Sequence, residues 1–124
     1  MVEAANRSGV EVDEAGAAEL ARLVLQSEGV RDGELGIVFV GRDEIRALKR
    51  AHLGVDEATD VLSFPLDGRG DVPDGVPRAL GDVVLCPEVV GLQWREPLVH
   101  GLLHLLGYEH GDDMEARERE YAVT

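Results

Sequence analysis

Three of the four histidines fall in one stretch, His100-Gly101-Leu102-Leu103-His104-Leu105-Leu106-Gly107-Tyr108-Glu109-His110. On a helix, His100 and His104 stand one turn apart on the same face, so both rings can converge on one ion. The next turn of that helix would carry a third ligand away from the ion. Gly107 removes the difficulty. Lacking a Cβ, it can take a positive φ, end the helix and let the chain swing back, so that His110 reaches the metal from outside the helix. Three neutral imidazoles leave the fourth position of a tetrahedral zinc open, as in catalytic rather than structural sites. Water bound there has its pKa lowered toward about 7. The single cysteine, Cys86, is the alternative fourth ligand and would close the site, but closed sites normally use more than one thiolate.

The same H-x-x-x-H-x-x-G-x-x-H spacing underlies the metzincin proteases, whose motif carries a general-base Glu directly after the first His. Here that position is Gly101, which cannot take a proton from water. The protease mechanism therefore lacks its central acid–base group. Glu109, next to the third histidine, is a candidate for orienting a ring N–H and equally a solvated charge.

These residues need a frame to hold them. Asp13 is a plausible N-cap for a helix over Glu14 to Ser27, with Ala17, Leu20, Leu23 and Val24 on one side and Gly29 as its stop. Leu35 to Val40 reads as a strand and Arg42 to His52 as a helix with Ile45, Leu48 and His52 on one face. Val10-Glu11-Val12, Val61 to Phe64 and Val83 to Leu85 read as short strands. Asp67 to Arg78 is a long surface loop rich in Gly, Asp and Pro. Pro97 suits the first turn of the histidine helix, and a polar helix begins at Asp112. The order predicts an α+β fold, a small mixed β-sheet packed with helices, with the metal site on a C-terminal helix-turn.

The 124 residues suit one domain, 1–124. No apolar run approaches a membrane span, Met1 to Asn6 does not read as a secretory signal, and one cysteine fits a reducing cytosol. Asp and Glu outnumber Lys and Arg by 25 to 12, giving a net charge of −13. Phosphates would meet repulsion over most of such a surface, so any nucleic-acid role must work through a local site or a delivering partner.

With these residues in hand, the chain resembles the bacterial rRNA maturation endoribonucleases of the YbeY type. The resemblance rests on the histidine block, on Thr59-Asp60-Val61-Leu62-Ser63-Phe64-Pro65 and on Leu80-Gly81-Asp82-Val83-Val84. It implies a cytoplasmic, zinc-dependent hydrolase that cleaves single-stranded RNA in 16S rRNA 3′-end maturation and ribosome quality control. It further implies His100, His104 and His110 as the zinc ligands and the small ribosomal subunit or its proteins as partners; neither DNA nor a membrane is expected. Two departures stand out. Leu53 occupies the position where many relatives place an Arg thought to meet the substrate phosphate, and the segment 86–99 is shorter than usual, so a helix is expected to be trimmed or missing there.

Phosphodiester cleavage wants cations near the developing charge on phosphorus. Arg42, Arg46, Lys49 and Arg50 form the one basic cluster, read either as a solvated face balanced by Asp43 and Glu44 or as a phosphate-guiding strip; Arg46, Arg50 and Glu109 are thus the weak catalytic candidates. His52 is expected to be buried and hydrogen-bonded, Asp60 and Ser63 to support structure, Trp94 to pack and Cys86 to fill space. The rival readings are a zincin-type metalloprotease and a non-catalytic ribosome-associated module with a structural metal.

Overall fold

The computed structural model describes residues 1–30, 32–67 and 70–122. Among these residues four strands and five helices follow one another as β1 (Val2–Asn6), α1 (Glu14–Ser27), β2 (Glu34–Phe39), α2 (Arg42–Leu53), β3 (Val61–Pro65), β4 (Ala79–Leu85), α3 (Pro87–Val90), α4 (Arg95–Leu105) and α5 (Asp112–Ala122). The sheet order is β1-β2-β4-β3, with β1, β2 and β4 parallel and β3 antiparallel to β4. The fold is α+β with a mixed sheet.

Strand periodicity divides the interior. Leu35, Ile37, Phe39, Val83 and Leu85 point to one face, where they pack with α1, α4 and α5. Val38, Val40, Leu62, Val84 and Cys86 point to the other, where Ile45 and Leu48 of α2 cover them. Cys86 is fully buried in that second cluster as a small apolar filler.

The helix limits have identifiable causes. The Asp13 carboxylate accepts from the Gly16 N–H at 2.9 Å, as an N-cap does. Helix α2 ends at Gly54, whose φ of +72° suits a residue without a Cβ. The segment between β4 and α4 holds only the single turn α3.

The first strand lies elsewhere than expected. Val10 to Val12 is loop, and β1 runs over Val2–Asn6. Side chains divert the chain after β1: Asn6 Oδ1 accepts from the Ser8 N–H at 2.9 Å, Asn6 Nδ2 donates to the Val10 carbonyl, and Ser8 Oγ accepts from the Val10 N–H. Such local bonds compete with a ladder. Of the segment 67–78, residues 70–78 have no helix or strand; Gly68 and Arg69 lie outside the described residues.

Helix α4 is buried along most of its length, through Leu98, Val99, Gly101, Leu102, Leu103 and Leu105. At Gly101 it approaches the sheet so closely that an added Cβ would lie 2.8 Å from Val83 Cγ1 and 3.1 Å from both Ser63 Oγ and Val61 Cγ2. Ser63 Oγ donates to the Gly101 carbonyl at 2.9 Å, tying β3 to the histidine helix. This contact excludes a general-base Glu at position 101 on volume alone. Gly101→Ala should therefore overpack the seam and cost about 1–3 kcal/mol, lowering the midpoint of thermal unfolding by roughly 3–10 °C, as followed by circular dichroism.

Candidate metal centre

Gly107 has φ +96°, and the chain leaves α4 there as the sequence predicts. The Gly107 N–H donates to the His104 carbonyl and the Tyr108 N–H to the Leu103 carbonyl, each at 3.0 Å. Together these bonds make a Schellman turn. The turn returns His110 to the helix face carrying His100 and His104. The three ring centroids are separated by 4.6, 5.2 and 4.7 Å, and one ligand nitrogen from each ring lies within 4.8 Å of the others.

Hydrogen bonds fix which nitrogens face inward. His104 Nδ1 lies 3.0 Å from the Tyr108 carbonyl oxygen, which can only accept, so Nδ1 carries the proton. His100 Nδ1 lies 2.5 Å from Glu118 Oε1, and a carboxylate likewise accepts. Both Nε2 atoms are thereby left as bare lone pairs in the neutral rings, and they face each other at 3.1 Å. Two acceptors at that distance repel unless a cation or an added proton sits between them. Two imidazoles on a tetrahedral ion, with nitrogens about 2.0–2.1 Å from it, stand roughly 3.3 Å apart, so the pair fits a divalent metal. Burial lowers the pKa of His104 below the ordinary imidazole range; the Tyr108 carbonyl opposes this, and the neighbouring His100 and His110 add to it. The ring is thus held in the neutral form that a metal needs.

The triad opens into a cavity of about 760 Å³. Residues from α2 (Lys49, His52, Leu53), from the segment Thr59 to Phe64, and from α4 and α5 (Glu96, Pro97, Glu118) complete its walls. Asp60 and Ser63 support backbone groups, as expected. Asp60 Oδ1 accepts from the Val61 N–H at 2.8 Å and from Thr59 Oγ1, and Ser63 bonds α4 rather than a histidine ring. Cys86 lies in the other core cluster and is not among the grouped ligands.

Several sequence-derived candidates lie elsewhere. Arg46 is held by Asp56 through Nε at 2.7 Å and Nη2 at 3.1 Å, which raises its pKa, and with Arg50 it lines a separate shallow depression. Arg42 pairs with Glu88 at 3.6 Å. Arg42, Arg46 and Arg50 form a solvated face, with Asp56 and Glu88 as counter-charges, whereas Lys49 pairs with Glu57 and borders the cavity; Glu44 instead bonds Arg7. Glu109 is exposed and does not line the cavity. His52 is exposed, not buried: α2 carries it past the core, and its ring meets Phe64 edge to face at a centroid distance of 4.7 Å. Trp94 packs against the core beneath the Arg95 guanidinium and borders a different groove.

The carboxylate that orients the His100 ring is Glu118, which sequence reasoning missed. On α5 it shares a stripe with the buried Met114 and Tyr121, and a carboxylate on the apolar side of a polar helix is the signal that could have found it. A second missed group is Glu28, just past α1. Its side chain is only 3% exposed. It accepts from Tyr108 Oη at 2.7 Å and from Tyr121 Oη, and Arg117 Nε lies 3.7 Å away. Glu28 thus fastens the turn whose carbonyl orients His104 to the helix whose carboxylate orients His100.

Burial foremost, then the Glu28 bond, pushes the Tyr121 pKa up to about 12; the Glu28 bond foremost raises that of Tyr108. Each phenol is more readily ionised in the unfolded chain, at about 10. The stability it contributes is therefore full below pH 10 and is lost as pH rises through the folded value. Tyrosinate absorbance at 295 nm should accordingly rise later in the folded protein than after denaturation, and Glu28→Gln should move that rise toward pH 10. Coincident titrations before and after unfolding would count against the Glu28 node.

The sequence profile of the family described as Endoribonuclease YbeY matches residues 3–122. A protein of that name from Acidothermus cellulolyticus is 43% identical over 136 aligned residues, covering 94% of this chain and 83% of its own. One from Beutenbergia cavernae is 46% identical over 132 residues, covering 94% and 87%. Both alignments exceed the 124 residues of the chain, so these relatives carry segments that it lacks. The solution structure of TM1509 from Thermotoga maritima is similar with a TM-score of 0.58 at 25% identity, over 98% of this chain and 87% of that one.

Proposed function

The chain belongs to the endoribonuclease YbeY family, and from that premise we propose that it is a metal-dependent endoribonuclease using His100, His104 and His110 as ligands. The observation that carries this reading is the pair of bare Nε2 atoms 3.1 Å apart at the mouth of an open cavity. Zinc is the ion of choice, since three imidazoles with a vacant fourth position suit its tetrahedral preference. When bound, it supplies Lewis acidity toward a phosphoryl oxygen and lowers the pKa of water. The chain's own residues do the rest. Glu118 and the Tyr108 carbonyl fix the rings of His100 and His104, Gly107 sets the position of His110, and the cavity admits a strand to one side of the triad.

The substrate is single-stranded RNA, in the 3′-end maturation of 16S rRNA and in ribosome quality control. Support for this comes from the family's named activity and from charge. With a net charge of −13, and with Arg42 and Arg46 paired to carboxylates, the surface offers RNA little non-specific grip. Single-strand affinity scales with the number of phosphates neutralised, log K changing by about 0.7 per contact per decade of salt. The small ribosomal subunit or one of its proteins therefore presents the strand, and the enzyme works in the cytoplasm as a single hydrolase domain. No helix among the described residues is long and apolar enough to cross a membrane.

The protease reading loses its footing at Gly101, which has no acid–base group and where an added Cβ would already crowd Val83. A purely structural metal is disfavoured by the cavity at the triad.

His104→Ala should leave the circular dichroism spectrum near that of the parent, abolish one-to-one zinc binding by elemental analysis, and remove cleavage of a single-stranded 16S precursor fragment. Undiminished cleavage by a folded, metal-free variant would refute the proposal. Glu118→Ala should keep the fold and weaken zinc binding about 10- to 100-fold, read by competition with a chromogenic chelator.

A further inference from the structure

The cavity beside the triad is larger than a metal ion and one phosphate require, and the wall that α2 and β3 contribute has its own chemistry. Phe64 is half-buried, unlike the fully buried Phe39, and it borders the cavity. The exposed His52 ring meets it at an interplanar angle of 67°. An edge-to-face pair leaves a ring face unstacked, which is where a flat ligand can lie. Lys49 is three residues before His52, hence on the same side of α2, and it borders the same cavity. Its side chain is 16% exposed, and its ammonium group is held 2.8 Å from Glu57, itself 62% exposed. A carboxylate so solvated holds a lysine weakly, and an incoming phosphate can replace it. Among the described residues bordering the cavity, Lys49 is the one Lys or Arg, and Asp60, Glu96 and Glu118 supply negative charge. A phosphate entering there meets its positive partner at Lys49.

We propose that Lys49, His52 and Phe64 form a nucleotide subsite beside the triad, with the base stacked on the Phe64–His52 pair and the phosphate of the same nucleotide at the Lys49 ammonium. The proposal rests on the ribonuclease reading of the triad, but it is a statement about binding and can be tested apart from cleavage. It makes the enzyme selective for unpaired nucleotides, because a base within a duplex has no free face to offer the shelf.

The test uses the zinc-loaded full chain and a 2′-O-methyl hexanucleotide, compared with the same oligomer carrying abasic central positions, by fluorescence anisotropy at two low salt concentrations. The parent should bind the intact oligomer about tenfold or more tightly than the abasic one. His52→Ala and Phe64→Leu should each shrink that ratio toward one. His52 is exposed, so its replacement leaves the core untouched should Phe64→Leu fold poorly. Lys49→Gln should preserve the ratio and flatten the salt slope by about 0.7, whereas Arg50→Ala, outside the cavity, should alter neither. Equal binding of intact and abasic oligomers by the parent, or an unchanged ratio in His52→Ala, overturns the base shelf; an unchanged salt slope in Lys49→Gln overturns the phosphate contact. Cleavage of unmodified RNA separates the two readings. A parent that cleaves without discriminating loses the subsite alone, while one that discriminates without cleaving loses the ribonuclease reading alone.

Discussion

Two imidazole Nε2 atoms face each other across 3.1 Å, and in neutral rings whose Nδ1 protons are bonded elsewhere they repel unless positive charge lies between them. That constraint originates outside the rings. The Tyr108 carbonyl and the Glu118 carboxylate claim the Nδ1 protons, and acceptors of that kind leave each ring only one tautomer. The hydrogen-bond shell thus prepares the histidines for a metal as much as their spacing does. The open cavity beyond the triad would leave a bound ion a face on which chemistry can occur.

The rest of the fold serves to hold those two acceptors still. Helix α4 lies against β3 and β4 because Gly101 lets it approach within van der Waals contact of Val83, and Ser63 pins it there. The Schellman turn at Gly107 sets the direction of the Tyr108 carbonyl. Glu28 then ties Tyr108 and Tyr121 together, so the turn and α5 are positioned by one buried carboxylate from the end of α1. A carboxylate so enclosed is tolerable because two phenols and a guanidinium neighbour it; an unpaired charge would cost several kcal/mol. In this way α1, far from the triad in sequence, contributes to the tautomers of His100 and His104.

Much of this was readable from residue spacing, because the features concerned are local. The i, i+4 histidines, the glycine break and the short return to His110 all lie within a dozen residues, and helix geometry alone brings them together. The α+β layout followed from periodicity in the same way. What escaped depended on contacts between distant segments. Val2 to Asn6 is rich in alanine, a weak strand former, and becomes a strand by pairing with β2, whereas the better alternation at Val10 to Val12 is undone by Asn6 and Ser8 side chains. Glu118 and Glu28 are unremarkable charges until α5 packs on α4. The helical stripe placed His52 with Ile45 and Leu48, yet the last turn of α2 runs beyond the core that covers Ile45, leaving His52 and Leu53 exposed. The arginine stripe was visible, but its direction was not. Asp56, only a few residues beyond the helix, holds Arg46 outside the cavity, and among the described residues Lys49 is the Lys or Arg that borders it.

The central claim, an ion held by these three rings with one face free, is tested most directly by zinc K-edge X-ray absorption on the metal-loaded protein. The account predicts three imidazole nitrogens at about 2.0–2.1 Å with a single light non-protein atom completing a tetrahedral shell. A sulfur scatterer near 2.3 Å, which would bring in Cys86, or a shell filled by a fourth protein group, would contradict it.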